Sequence, residues 1–160
     1  MSFQMFHGIC PEIGISETRS VTLSANDGHG LPADAYAFLE MYCADAGCDC
    51  RRAYFQVVAL SNPGVVLAVI TWGWEPLAFY RRWGRYPEAA KDAKVMKGPA
   101  LAPLNRQSAL APALLELANA VLLSSPEYAE RIKRHYTLFR GKIDGRKGEG
   151  SEKRRQLHDR

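Results

Sequence analysis

No stretch of this chain approaches the roughly 20 consecutive apolar residues that a bilayer-spanning helix needs. Its longest apolar run, residues 65–74, is much shorter and rich in β-branched side chains, so it predicts a buried strand. Residues 1–10 lack both a basic segment and an apolar core, so no secretory signal is predicted and the expected location is cytoplasmic. The nucleotide-binding glycine loop, the His-Glu-x2-His pair and the nucleophile elbow are all missing. His135, Glu127, Glu130 and Asp92 form no acid–base pattern by spacing, which points away from an enzyme. Internal repeats and low-complexity tracts, the signs of a solenoid or fibre, are missing too.

Net charge is small over most of the chain. The net charge is +4, but residues 141–160 hold seven basic and four acidic side chains, so only one net positive charge is left for residues 1–140. A broad basic face for nucleic acid is therefore not expected on the body of the protein. Any nucleic-acid partner would be engaged through the tail, and a protein partner is the leading expectation. No membrane association is predicted.

A length of 160 residues with 47% hydrophobic side chains suits one domain around one core. The first half reads as strands. Residues 16–23 alternate Thr18, Ser20 and Thr22 with Arg19, Val21 and Leu23. A turn-forming run over 25–30 follows, then strands at 36–43, 52–60 and 65–74, the last two separated by the Ser61-Asn62-Pro63-Gly64 turn. Connections this short favour an antiparallel meander, since parallel crossovers need a dozen or more residues.

The second half reads as helices. Pro76 opens one that Gly84 stops, and Pro87 opens another over 88–97. Ser108 begins a helix over 109–123 with a broad leucine face, and Ser125-Pro126-Glu127 starts a last one that carries Tyr128, Ile132, Tyr136 and Phe139 and stops at Gly141. The predicted fold is α+β: a four-stranded antiparallel meander within about 16–74 and three or four helices within about 76–141. A basic tail over 142–160 is predicted to be disordered.

Cysteine is scarce, at four, but three of the four crowd into the turn between the second and third strands: Cys43, Cys48 and Cys50. Gly47 allows the tight backbone path that brings successive sulfurs to one centre. In a reducing compartment such a cluster fits a metal better than a disulfide. Thiolates in a closed tetrahedral set favour structural zinc. Cys10 is the predicted fourth ligand, because the start of the first strand and the end of the second lie at one edge of a meander; His7 is its substitute. His29 falls in the turn at the opposite end. Buried free thiols and a redox pair are the other readings of the same residues.

The element from Tyr42 to Arg52, Tyr-Cys-x4-Cys-Asp-Cys-Arg-Arg, resembles one in poorly characterised bacterial proteins, some of which also carry the SEC-C zinc motif. The likeness spans residues 34–75. The SEC-C pattern itself, with paired Cys or His about eight residues further on, does not follow Cys48-Asp49-Cys50. The resemblance implies metal binding and supplies no activity. Beside the thiols, Arg51 and Arg52 would offset the negative charge of such a centre.

Trp72, Trp74, Phe79, Tyr80, Trp83 and their arginine neighbours Arg81, Arg82 and Arg85 mix stacking rings with cations, as single-strand binders do. Core packing with arginines reaching water explains the same pattern and is the favoured reading. The sequence thus predicts a zinc-stabilised binding or adaptor domain without recognisable catalytic residues; the alternatives are a nucleic-acid-associated factor using the basic tail and, third, an enzyme with an unrecognised site.

Overall fold

The computed structural model describes residues 2–83 and 89–156, with side chains placed through residue 145 except at 84–91. Strand β1 (Phe3–Met5) leads directly into two short helices, α1 (Phe6–Ile9) and α2 (Pro11–Glu17). Four strands follow: β2 (Arg19–Leu23), β3 (Asp34–Cys43), β4 (Arg52–Ala59) and β5 (Asn62–Gly73). Then come α3 (Leu77–Trp83), α4 (Ala89–Lys97), the two-residue strand β6 (Ala100–Leu101), α5 (Ala111–Leu117) with a π-helical turn over Ala118–Leu123, and α6 (Pro126–Gln156). The predicted α+β class and antiparallel meander hold. Strands β2 to β5 pair in sequence order, and every pairing is antiparallel.

Two strands extend the meander. β1 pairs with the far end of β3, Phe3 opposite Cys43, and β6 pairs with β5. Both are too short for alternation to show in the sequence. The strand expected from residue 16 begins at Arg19, because Ser16 and Glu17 close α2 instead.

One face of the sheet carries the core. Tyr36, Phe38 and Tyr42 from β3, Ala53, Phe55 and Val57 from β4, and Ala68, Ile70 and Trp72 from β5 alternate toward the helices. Leu114, Leu117, Leu122, Tyr128, Ile132 and Phe139 meet them. Packing of this kind contributes roughly 1.5–3 kcal/mol for each large side chain removed from water. Of the aromatic pattern over 72–83, Trp72 and Tyr80 are buried, Trp74 meets Tyr136 edge-on at 5.1 Å, and Phe79 and Trp83 are half-buried.

α6 does not stop at Gly141 but runs to Gln156. A glycine in a helix interior costs about 1 kcal/mol relative to alanine. Here Ile143 continues the stripe of Ile132, Tyr136 and Phe139 into the core, and Arg140 pairs with Asp144 one turn on. The stop at Gly84, the helix start at Pro87 and residues 157–160 lie outside the described residues.

Candidate metal centre

The three clustered cysteines sit where β3 runs out. The N-terminal segment fastens that edge: the Ala44 N–H donates to the Ser2 carbonyl at 2.6 Å, and the Ser2 N–H donates to the Asp45 carboxylate at 3.0 Å. The chain then turns back through Gly47, whose φ of 64° lies in the left-handed region, and the Cys48 N–H closes onto the Asp45 carbonyl at 3.2 Å. Arg51, directly after Cys50, also adopts a positive φ of 47°. A side chain there is strained and must be held by its surroundings. Asp49 takes two hydrogen bonds of 2.9 Å from the Arg51 guanidinium, Glu75 takes another at 3.2 Å, and the Tyr80 hydroxyl donates to the Arg51 carbonyl at 2.7 Å.

Helix α6 supports the turn from the other side. Tyr136 donates its hydroxyl to the Cys48 carbonyl at 3.2 Å. One turn on, Arg140 Nη1 donates to the carbonyls of Cys43 at 2.7 Å and Asp45 at 3.0 Å. Tyr136 and Arg140 are four residues apart, so they share a helix face.

The result is a compact thiol cluster. The sulfurs of Cys43, Cys48 and Cys50 all lie within 4.8 Å of one another; Cys43 and Cys50 are buried and Cys48 is half-buried. Thiolates around zinc at about 2.3 Å stand roughly 3.8 Å apart in a tetrahedron, so a small contraction suffices. Without a cation the thiols share their protons unevenly. Cys43 is pushed down to about 6, first by the hydrogen bond from the Cys50 thiol, then by the Asp45 N–H and the Cys48 thiol, against the opposing effect of burial. Cys50 is pushed strongly up by donating to Cys43 and by burial, and Cys48 is raised by burial first. A divalent cation takes the place of those shared protons, which is why thiolate sites release protons as they fill. Three thiolates form a soft donor set, suited to zinc, copper(I) or iron–sulfur chemistry.

Cys10 is not brought into this group. It lies at the junction of α1 and α2, buried in the core, with its N–H on the Phe6 carbonyl at 2.8 Å and its carbonyl accepting from Gly14 at 2.8 Å. The edge argument fails for a definite reason. β2 has five residues against ten in β3, so its first residue, Arg19, pairs with Phe38 and not with Cys43. Five residues of strand, roughly 17 Å, separate the two positions. β1 occupies the place beside Cys43 that the meander argument gave to the segment after Cys10. His7 is exposed on α1 and does not join the thiols either; His29 is exposed in the turn before β3.

A second cluster escaped the sequence reading altogether. His135, fully buried on α6, places Nδ1 at 2.7 Å from Glu40 of β3 and Nε2 at 2.7 Å from Glu17 of α2. Tyr42 donates to the same Glu40 oxygen at 2.8 Å, Phe6 stacks on the imidazole at 4.4 Å, and Arg134 pairs with Glu17. Both contacts on Glu40 fall on Oε2, and Oε1 is buried without a hydrogen-bond partner. The signal was present: Glu40 falls on the inward face of β3 with Phe38 and Tyr42, and His135 lies three residues after Ile132 and four before Phe139. Polar residues on two buried faces ask for each other. This network ties α2, β3 and α6 together.

No family model, curated protein or solved structure matches this chain.

Proposed function

We propose that the protein is a binding or adaptor domain without catalytic chemistry, stabilised by a zinc ion held by Cys43, Cys48 and Cys50. The observation that carries this reading is the convergence of three thiols within 4.8 Å in a turn held by Tyr136 and Arg140 of one helix and by Tyr80 of another. Such a turn, with two left-handed residues and several hydrogen bonds converging on its carbonyls, is a costly arrangement for free cysteines and an economical one for a cation that crosslinks it. Zinc is favoured within the soft-metal class because it fits a small thiolate set without redox chemistry.

The binding half of the reading draws on the opposite face of the sheet. A cavity of about 470 Å³ opens there between Phe3, Tyr54, Ala102, Pro103, Leu104 and Asn105, and Leu104 is 99% exposed at its edge. An apolar wall with a leucine held out into solvent suits a protein partner better than nucleic acid. Among the described residues no helix is long and apolar enough to cross a membrane. The reading is tested by thermal unfolding with and without a strong chelator. A zinc-stabilised domain loses several degrees to tens of degrees when the metal is removed, whereas identical melting curves would rule the zinc out.

A further inference from the structure

The three sulfurs of the thiol turn are not equivalent toward solvent. Cys43 and Cys50 are wholly buried and Cys48 is half-buried, so a small solute meets the cluster at Cys48. Behind it, Cys43 is the common acceptor: the thiols of Cys48 and Cys50 both donate to its sulfur. All four cysteines of the chain stand reduced, and Cys10 lies in the core at the α1–α2 junction, outside the group.

The turn is held by its main chain. Tyr136 and Arg140 of α6 donate to the carbonyls of Cys48 and Cys43, and the Tyr80 hydroxyl donates to that of Arg51. The sulfurs lie within 4.8 Å of one another. Side-chain rotation can bring two of them to a bond of about 2.05 Å while the backbone stays fastened. Thiols that respond to oxidants share this layout, an accessible sulfur with a second thiol beside it to resolve the first product.

We propose that the turn is a site of reversible oxidation, in which hydrogen peroxide oxidises Cys48 and Cys43 closes a disulfide onto it. The Cys48 sulfur attacks one peroxide oxygen as its proton passes along the hydrogen bond to Cys43. The O–O bond breaks, hydroxide leaves with the electron pair, and Cys48 becomes a sulfenic acid. The Cys43 sulfur then attacks that of Cys48; the S–O bond breaks, and the hydroxyl leaves with the Cys43 proton as water. Two sulfurs lose two electrons, which reduce the peroxide to one hydroxide and one water. The consequence for a bound cation rests on the metal-binding reading above: the bridge takes away two of three thiolate ligands, so oxidation releases the ion.

The test exposes full-length protein, as purified and after treatment with chelator, to hydrogen peroxide. Thiols counted after denaturation should fall from four to two, and dithiothreitol should return them. Peptide mapping by mass spectrometry should find Cys43 joined to Cys48. A chromophoric chelator should record zinc leaving the as-purified protein in step with the bridge. Cys43→Ser should stop at a sulfenic acid on Cys48 that dimedone traps, and Cys10→Ser should behave as the wild type does. Four thiols surviving the peroxide, a bridge between any other pair, or Cys48 carried to sulfinic acid beside an unreacted Cys43 would overturn the proposal and leave the metal centre standing. A protein purified without metal that still forms the Cys43–Cys48 bridge would overturn the zinc and leave the oxidation standing.

Discussion

Arg140 Nη1 reaches from α6 to the carbonyl oxygen of Cys43 at 2.7 Å, and the same nitrogen donates to the Asp45 carbonyl at 3.0 Å. The long C-terminal helix is thereby fastened to the turn that carries the thiols, on the opposite side from the N-terminal strand. Arg140→Ala should leave those buried carbonyls short of a charged donor and cost about 1.5–3 kcal/mol in urea unfolding. Arg140→Lys should recover only part of it, since a single ammonium cannot reproduce the planar fork. Zinc affinity, measured by competition with a chromophoric chelator, should fall in parallel. An Arg140→Ala protein with unchanged stability and affinity would remove α6 from the account of the site.

His135 stands between Glu40 and Glu17, and Glu40 is 3% exposed. His135→Ala leaves a buried carboxylate without its nitrogen partner, a loss of about 3–5 kcal/mol by comparison with other broken buried pairs. Glu40→Gln in the His135→Ala background should restore part of that loss, because the stranded charge is gone. Unfolding free energies of the two single variants and the double variant form the test cycle. Strict additivity would contradict a direct partnership.

Glu17 is held below the ordinary carboxylate range, first by its hydrogen bond from Arg134 and then by His135. A carboxylate whose folded value lies below its unfolded value contributes stability that is fully present above the unfolded value, near pH 4.5. That contribution is lost as pH falls through the folded value. Glu17→Gln should therefore show a flatter fall in stability than the wild type below about pH 5. Parallel curves from pH 6 to pH 3 would show that Glu17 carries no such linkage.

Gly73 is where α3 and α4 close on the sheet. A Cβ built there would lie 2.2 Å from the Tyr80 hydroxyl and 2.9 Å from the Met96 carbonyl, and the second of these is backbone. Gly73→Ala should cost about 1–3 kcal/mol as an overpacked core does. Because Tyr80 donates to the Arg51 carbonyl, the same change should also weaken zinc retention. Differential scanning calorimetry beside metal analysis separates the two effects; a neutral substitution would mean that this contact gives way freely.

Much of the fold was legible because its signals repeat. β3, β4 and β5 are apolar-rich runs of eight or more residues each, and the stripe from Tyr128 to Phe139 is periodic over three turns. What was illegible is short or depends on distant partners. β1 has three residues and β6 two, too few for a period, and β1 takes the place beside Cys43 on which the argument for Cys10 depended. Three of the four proposed thiols could be read from one turn because local spacing places them. The fourth required the relative lengths of β2 and β3, which pairing alone reveals. Glu40 and His135 lie 95 residues apart, so neither position discloses its partner; only the shared inward faces do.

Elemental analysis of the four single Cys→Ser proteins, purified without chelator, tests the central claim most directly. The account predicts one zinc per chain in the wild type and in Cys10→Ser, with zinc lost or sharply reduced in Cys43→Ser, Cys48→Ser and Cys50→Ser. A wild-type protein free of metal, or a Cys10→Ser protein that loses zinc as the other three do, would contradict it.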